Sequence, residues 1–451
     1  MNALDDAGWQ PWDWQQRVAA QQPEWPDPEA LDAVIKELAQ RPALVVAKDV
    51  DRLRAALARA ARGRAFVLQA GDCAESFHDH SASSLRAKLK IILQMAVVLT
   101  YSSGVSVVKI GRIAGQFAKP RSAPVEVVDG ATLPSFRGHI VHDDAPTLDA
   151  RRPNPERLLW AYDQSRATVS VLRALTEGGF ADLSGAHRWN LDFVASSPEG
   201  QRYQAIADGV DRALRFMAGC GIDLEREAVL HQVNVWTSHE ALLLPYEAAL
   251  TRRDPASQRY YDLSAHMVWV GERTRQLDGA HLRFASGIAN PVGLKVGPTM
   301  EPDTLVEACR ILDPDRTPGR LVLISRMGHD AVRDRLGGLV EAVREAGYPV
   351  VWLCDPMHGN TFVSQSGYKT RRFEDVMDEI AGFFEVHRRL GTHAGGIHLE
   401  LTGEDVTECL GGSEAVLESE LCRAYDTICD PRLNARQSLD LAFRVAELLI
   451  R

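Results

Sequence analysis

Short runs of β-branched and apolar residues alternate with stretches of helical periodicity along most of the chain, an alternation that predicts βα units and a parallel sheet. Eight such runs stand out, at residues 66–69, 106–110, roughly 229–235, 267–270, 292–296, 321–325, 349–353 and 396–399. Intervening segments such as 330–346 and 372–390 repeat apolar residues at helical spacing over lengths suited to a crossover helix. Eight strands predict a (β/α)8 TIM barrel rather than an open doubly wound sheet, which usually needs fewer. Ahead of the first run, Asp27 as a cap and Pro28 at the first helical position predict a helix over 28–40, so residues 1–60 read as an N-terminal helical extension. The gap between the second and third runs exceeds an ordinary crossover. Helical patterns near 155–177 and 198–219 make it a helical insertion over about 150–225, within a barrel expected to occupy 61–451 and to end in an amphipathic helix over 437–450.

Composition narrows the class without choosing a function. The 451 residues are 45% hydrophobic and 25% charged, the balance of a globular protein. A formal net charge of -10 argues against general nucleic-acid or anionic-membrane binding and directs attention to local basic pockets. The first residues lack a basic segment followed by an apolar core, and no apolar stretch is long enough to span a bilayer, so a cytoplasmic location is expected. Seven cysteines at irregular spacing are not a secreted disulfide framework, and at least one thiol has no partner within the chain.

In such a barrel, reactive groups gather at the C-terminal ends of the strands. Cys73, His358, Glu400 and Asp430 each sit just beyond an apolar run ending in a Gly- or Pro-rich turn. One thiol, one imidazole and two carboxylates suit a borderline divalent ion with catalytic duty better than a closed structural zinc. Basic residues follow the runs as well: Arg112 after the second, Arg273 beside Glu272 after the fourth, Lys295 in the fifth and Arg326 after the sixth. Together they carry enough positive charge for a small polyanion such as a phosphorylated carboxylate, with Arg as bidentate fork and Lys as point charge. Lys119, Arg121 and Ser122, on the loop after the second run, suit a second phosphate.

Taken singly, most of these residues have ordinary explanations. A strand-end Arg is commonly solvated or salt-bridged, a lone Cys packs as a small hydrophobe, His358 can cap a turn, and Asp430 before Pro431 can start one. Glu400 differs, because a carboxylate where a buried strand ends needs a cation or donors. His398, two residues earlier, shares its face and is a candidate support for the ligands. Glu404 and Glu408 read as loop and capping residues.

Several long motifs occur in order: Gly71-Asp72-Cys73-Ala74-Glu75, Arg112-Ile113-Ala114-Gly115-Gln116 with Lys119-Pro120-Arg121-Ser122, Gly271-Glu272-Arg273-Thr274-Arg275-Gln276, Asp355-Pro356-Met357-His358-Gly359-Asn360, Thr407-Glu408-Cys409, and Cys429-Asp430-Pro431-Arg432-Leu433-Asn434. They resemble those of the type II, plant-like 3-deoxy-D-arabino-heptulosonate 7-phosphate (DAHP) synthases, and the resemblance runs from about Gln21 to the C-terminus. It implies a TIM-barrel transferase that condenses phosphoenolpyruvate with erythrose 4-phosphate and water to DAHP and phosphate, opening the shikimate pathway to aromatic amino acids. It implies a divalent metal, manganese or cobalt, on Cys73, His358, Glu400 and Asp430. Arg112, Glu272, Arg273, Lys295 and Arg326 would hold phosphoenolpyruvate, and Lys119, Arg121 and Ser122 the aldose phosphate. Glu272 would either manage the attacking water or orient Arg273 or Lys295.

The resemblance further implies a homodimer or homotetramer and an aromatic amino-acid effector; a chorismate mutase is a candidate partner, while the charge and the lack of a long apolar stretch argue against nucleic-acid and membrane partners. One segment departs from the family pattern: His139 and His142 follow Arg137-Gly138 where an acidic residue and an Asn are expected. That departure raises the alternative of a specialised-metabolism paralogue using a modified aldose phosphate; a non-catalytic regulatory barrel is the alternative from another class. Cys73 and Cys429, beside the ligand set, are expected to be open to disulfide formation once metal is absent.

Overall fold

Eight parallel strands close into a barrel: β1 (Ala65–Gly71), β2 (Ser106–Arg112), β3 (Val235–Glu240), β4 (Met267–Val270), β5 (Val292–Val296), β6 (Leu321–Ser325), β7 (Val351–Cys354) and β8 (Gly396–Glu400), in the order β1-β8-β7-β6-β5-β4-β3-β2. The computed structural model describes residues 8–79, 81–128, 130–177, 189–191, 200–221 and 234–450. Its described helices are α1 (Pro28–Gln40), α2 (Ala47–Ala60), α3 (Ala82–Ser103), α4 (Glu156–Glu177), α5 (Gly200–Gly219), α6 (Leu244–Leu250), α7 (Ala280–Gly287), α8 (Pro302–Leu312), α9 (Val332–Glu345), α10 (Phe373–Leu390) and α11 (Ala435–Ile450). The side chain of Asp27 accepts the Ala30 N–H at 2.9 Å and so caps α1, with Pro28 in its first turn. Among the described residues no helix is long and apolar enough to cross a membrane.

Register is what assembles the reactive rim. Gly71 of β1 pairs with Glu400 of β8 on one side and with Arg112 of β2 on the other. Residues from three distant segments therefore meet at one level, two residues short of Cys73. At the opposite end, Leu53, Ala56 and Leu57 of α2 pack against Val67, Ile110, Val322 and Leu353 and close the barrel floor. Each Leu buried there contributes about 1.5–3 kcal/mol.

The third strand lies later than the apolar run that predicted it. Most of 229–235 falls outside the described residues, and the barrel position is taken by Val235–Glu240. Thr237, Ser238 and His239 of this strand are buried polar groups. The Ser238 hydroxyl accepts from the Gln69 amide at 3.0 Å and donates to the Gly111 carbonyl at 3.0 Å, and His239 Nε2 lies 2.9 Å from Glu247. Polar side chains that satisfy one another inside a barrel leave no apolar signature in the sequence.

Candidate active site

His358, Glu400 and Asp430 converge at the C-terminal rim, each offering a ligand atom within 4.8 Å of the others. Asp355 fixes the imidazole: His358 Nδ1–H donates to Asp355 Oδ2 at 2.8 Å, which aims Nε2, the atom His358 would offer an ion, at Glu400 Oε1 3.1 Å away. The Glu400 carboxylate is fully buried, and burial by itself opposes its charge. His358, Lys119, Arg371 and Arg112 outweigh that cost and hold it well below the usual carboxylate range. Burial likewise opposes ionisation of Asp430, but the Lys119 ammonium, 2.7 Å from its Oδ2, lowers it. Lys119 also lies 3.5 Å from Glu400, so a cationic group already sits among the acidic oxygens.

Cys73 is adjacent to this trio without belonging to the close set. Its Sγ accepts the Asp430 N–H at 3.4 Å and touches the Thr427 hydroxyl at 3.5 Å. Burial would raise its thiol, yet the Cys429 hydrogen bond and the charge of Lys119 bring it down to about 7. An oriented imidazole nitrogen, two ionised carboxylates and an acidified thiol are a donor set that fits a divalent transition ion.

A cavity of ≈ 360 Å³ opens directly beside these groups. Arg112, Lys119, Arg121, Ser122, Glu272, Arg273, Lys295, Arg326, His358 and Asp430 all line it, so the expected anion-binding residues share one chamber with two of the expected ligands. Arg273 reaches across to the Ser122 hydroxyl at 3.1 Å, and Arg121 pairs with Glu126 at 2.5 Å. Arg326 donates to the His358 carbonyl at 3.2 Å. Glu272 binds Arg275 through Oε1 at 2.6 Å, while its Oε2 lacks a hydrogen-bond partner. Four of the five Arg112 N–H donors meet protein acceptors: the Asp72 carbonyl at 2.9 Å, the Cys73 carbonyl at 3.2 Å, Glu400 at 2.9 Å and His398 Nε2. His398 donates from Nδ1 to Gln69 at 2.8 Å, so its Nε2 accepts from both Arg112 and Lys295.

The motif residues that are not ligands shape the loops. The Glu75 carboxylate accepts the backbone N–H groups of Ala114, Gly115 and Gln116 at 3.0, 2.8 and 2.8 Å, which pins the turn between Arg112 and Lys119. That turn holds Ala114 at φ 66°. Glu408 grips Arg432 through the backbone N–H at 2.6 Å and the guanidinium at 2.8 Å, as befits a loop-holding residue. Asp355, Arg371, Glu379, Trp269 and Glu240 were not foreseen as part of the site. Only Asp355, inside the Asp355-Pro356-Met357-His358 motif, carried a local signal; the others meet the site through contacts far apart in sequence.

The departing segment turns away from the chamber. His139 is fully buried and accepts the Phe77 N–H on Nδ1 at 3.1 Å, which assigns the proton to Nε2. That Nε2–H faces Asp144 at 3.4 Å, and His78 lies 3.6 Å from the same oxygen. His78, His139, Asp143 and Asp144 form a second close group, but in this tautomer His139 turns an N–H rather than a lone pair toward Asp144. Burial pulls His142 down to about 4, and its Nε2 accepts the Arg137 N–H at 3.2 Å. Neither His139 nor His142 lines the chamber.

A family model described as the Class-II DAHP synthetase family matches residues 9–446. The phospho-2-dehydro-3-deoxyheptonate aldolase of Streptomyces coelicolor (strain ATCC BAA-471 / A3(2) / M145) is 56% identical over 435 residues, 96% of each chain. The phospho-2-dehydro-3-deoxyheptonate aldolase AroG of Mycolicibacterium smegmatis (strain ATCC 700084 / mc(2)155) is 50% identical over 438 residues, 96% of this chain and 93% of that one.

Proposed function

Because the chain belongs to the class-II DAHP synthetase family and is an enzyme of that family, we propose that it condenses phosphoenolpyruvate with erythrose 4-phosphate and water, giving DAHP and phosphate, and that it does so with a divalent metal. The observation that carries this reading is the single ≈ 360 Å³ chamber in which Lys295, Arg273 and Arg326 face the same space as His358 and Asp430. A Mn2+ or Co2+ ion on His358, Glu400, Asp430 and Cys73 would supply Lewis acidity toward the aldehyde oxygen. Lys295 and Arg326 bind the phosphate and carboxylate of phosphoenolpyruvate and hold its C3 toward the aldehyde carbon, with Arg112 and Arg273 completing the positive wall. Lys119, Arg121 and Ser122 take the phosphate of the aldose. As the C–C bond forms, the aldehyde oxygen becomes an alkoxide; water adds at C2 and gives one proton to the Glu272 carboxylate, whose Oε2 lies 3.8 Å from Arg326, and a proton returns to the alkoxide; cleavage of the C2–O bond then releases phosphate, which carries away the C2 hydroxyl proton and leaves the ketone.

Residues 1–60 and the insertion over about 150–225 are read as assembly and regulatory elements on a catalytic barrel over 61–451. A second cavity of ≈ 350 Å³, lined by Asp49 and Arg52 of α2, Leu172 and Arg173 of α4 and Trp236 of β3, offers both charges and an apolar wall to an aromatic amino acid. A cytoplasmic homo-oligomer with such feedback, and with a chorismate mutase as partner, completes the proposal. His139 and His142 lie off the chamber and so do not favour a modified aldose.

The test is phosphate release from phosphoenolpyruvate by the purified protein. We expect release only when erythrose 4-phosphate is present, loss of it with a chelator, and recovery on adding Mn2+ or Co2+. Chelator-indifferent turnover would overturn the metal reading, and release with a modified aldose but not erythrose 4-phosphate would overturn the substrate assignment.

A further inference from the structure

Arg371 lies between a two-residue strand, Lys369–Thr370, and the start of α10, and its side chain is fully buried. Nη2 donates to Glu400 Oε2 at 2.8 Å. Nε donates to the carbonyl of Met357, the residue before His358, at 2.7 Å, and also meets the Thr361 hydroxyl at 2.9 Å. Nη1 donates to the carbonyl of Pro431, the residue after Asp430. One planar group thus touches the segments of three candidate ligands that come from three separate parts of the chain. Its own backbone is tied down, since the Leu410 N–H donates to the Arg371 carbonyl at 2.8 Å and the Phe373 N–H to the Leu410 carbonyl at 2.9 Å.

We propose that Arg371 is the positioning residue of the metal centre, its guanidinium setting the mutual geometry of His358, Glu400 and Asp430; this rests on the metal reading given above. By engaging Oε2, Arg371 leaves Glu400 Oε1 turned toward His358 Nε2 and Lys119. A rigid fork of donors can satisfy three acceptors held at fixed angles, whereas a lysine ammonium at this position keeps the charge and loses the span. Arg371 does not line the chamber, so its effect reaches substrate only through the ligands. Groups that orient ligands in this way change metal affinity by about 10- to 100-fold when replaced.

The experiment compares wild type with Arg371→Lys and Thr361→Val by calorimetric Mn2+ titration, circular dichroism, and kcat and KM for phosphoenolpyruvate at saturating Mn2+. Arg371→Lys is expected to bind Mn2+ at least about tenfold more weakly, with reduced kcat and a nearly unchanged KM. Thr361→Val keeps the guanidinium but removes its hydroxyl contact; it is expected to fold as the wild type and to show a smaller loss of affinity in the same direction. A folded Arg371→Lys with wild-type Mn2+ affinity overturns the proposal; if that variant does not fold, wild-type affinity in Thr361→Val does so. Failure of the wild type itself to bind Mn2+ is a different result, and overturns the metal reading on which the proposal stands.

Discussion

Lys295 gives the sharpest pH prediction. Its ammonium is buried at the base of the chamber, paired with Asp355 and 2.9 Å from His398 Nε2. Burial lowers its pKa, Asp355 opposes the drop, and the cations of Arg112 and Arg326 add to it, leaving a value of about 8 against an ordinary 10.5. One pH unit below about 8, roughly nine-tenths of the molecules carry the charge, and one unit above, roughly one-tenth do. If the ammonium is needed to hold phosphoenolpyruvate, kcat/KM for that substrate should fall about tenfold between pH 7 and 9, because this ratio reports ionisations of the free enzyme. The assay is a pH profile of kcat/KM at saturating aldose and metal, repeated with Lys295→Arg. Arginine keeps its proton throughout, so whatever activity that variant retains should lose the alkaline limb. A wild-type profile flat to about pH 9.5 would refute the argument. The sign for folding is opposite: the unfolded chain binds more protons between about 8 and 10.5, so this lysine's contribution to stability rises with pH across that window. Below it, the buried charge costs about 3 kcal/mol.

Three further outcomes are expected. Glu272→Gln should collapse kcat while leaving KM for phosphoenolpyruvate nearly unchanged, and near-normal turnover would remove the acid/base role. Glu379→Ala strips the acceptor from the Met327 N–H and the Asn360 amide, each at 2.8 Å, and two stranded buried donors cost about 2–6 kcal/mol; an unaltered melting temperature would contradict this. Metal-free protein exposed to oxidant should form a Cys73–Cys429 disulfide detectable by mass spectrometry of its peptides, with activity restored by reductant, and free thiols at both positions would exclude it.

Much of the rim was readable residue by residue. Glu400 stood out as a carboxylate ending a buried strand, and of the basic residues after successive runs, Arg112, Lys295, Arg273 and Arg326 line one cavity. The limits were equally specific. β3 is lined with polar groups, so an apolar search shifted it toward 229–235. His139 and His142 left open a change in loop contacts or in substrate; they lie off the chamber, His139 holding the Phe77 N–H and His142 the Arg137 N–H of its own loop. Arg371 and Glu379 gave no signal, because their partners lie up to 60 residues away.

Periodicity and motif order by themselves determined the barrel class, the family resemblance and the candidate ligands, since alternation of apolar runs is a local property and parallel strands present their C-terminal ends to one rim. Tertiary structure alone decided how those residues meet. Pairing Gly71 with both Arg112 and Glu400 put the thiol loop beside the carboxylate, and low dielectric around Glu400 drew Arg112, Arg371 and Lys119 onto it. A buried charge must be matched by whatever cations the closed fold brings near, and that inventory is set by register and packing across hundreds of residues rather than by any neighbour in the chain.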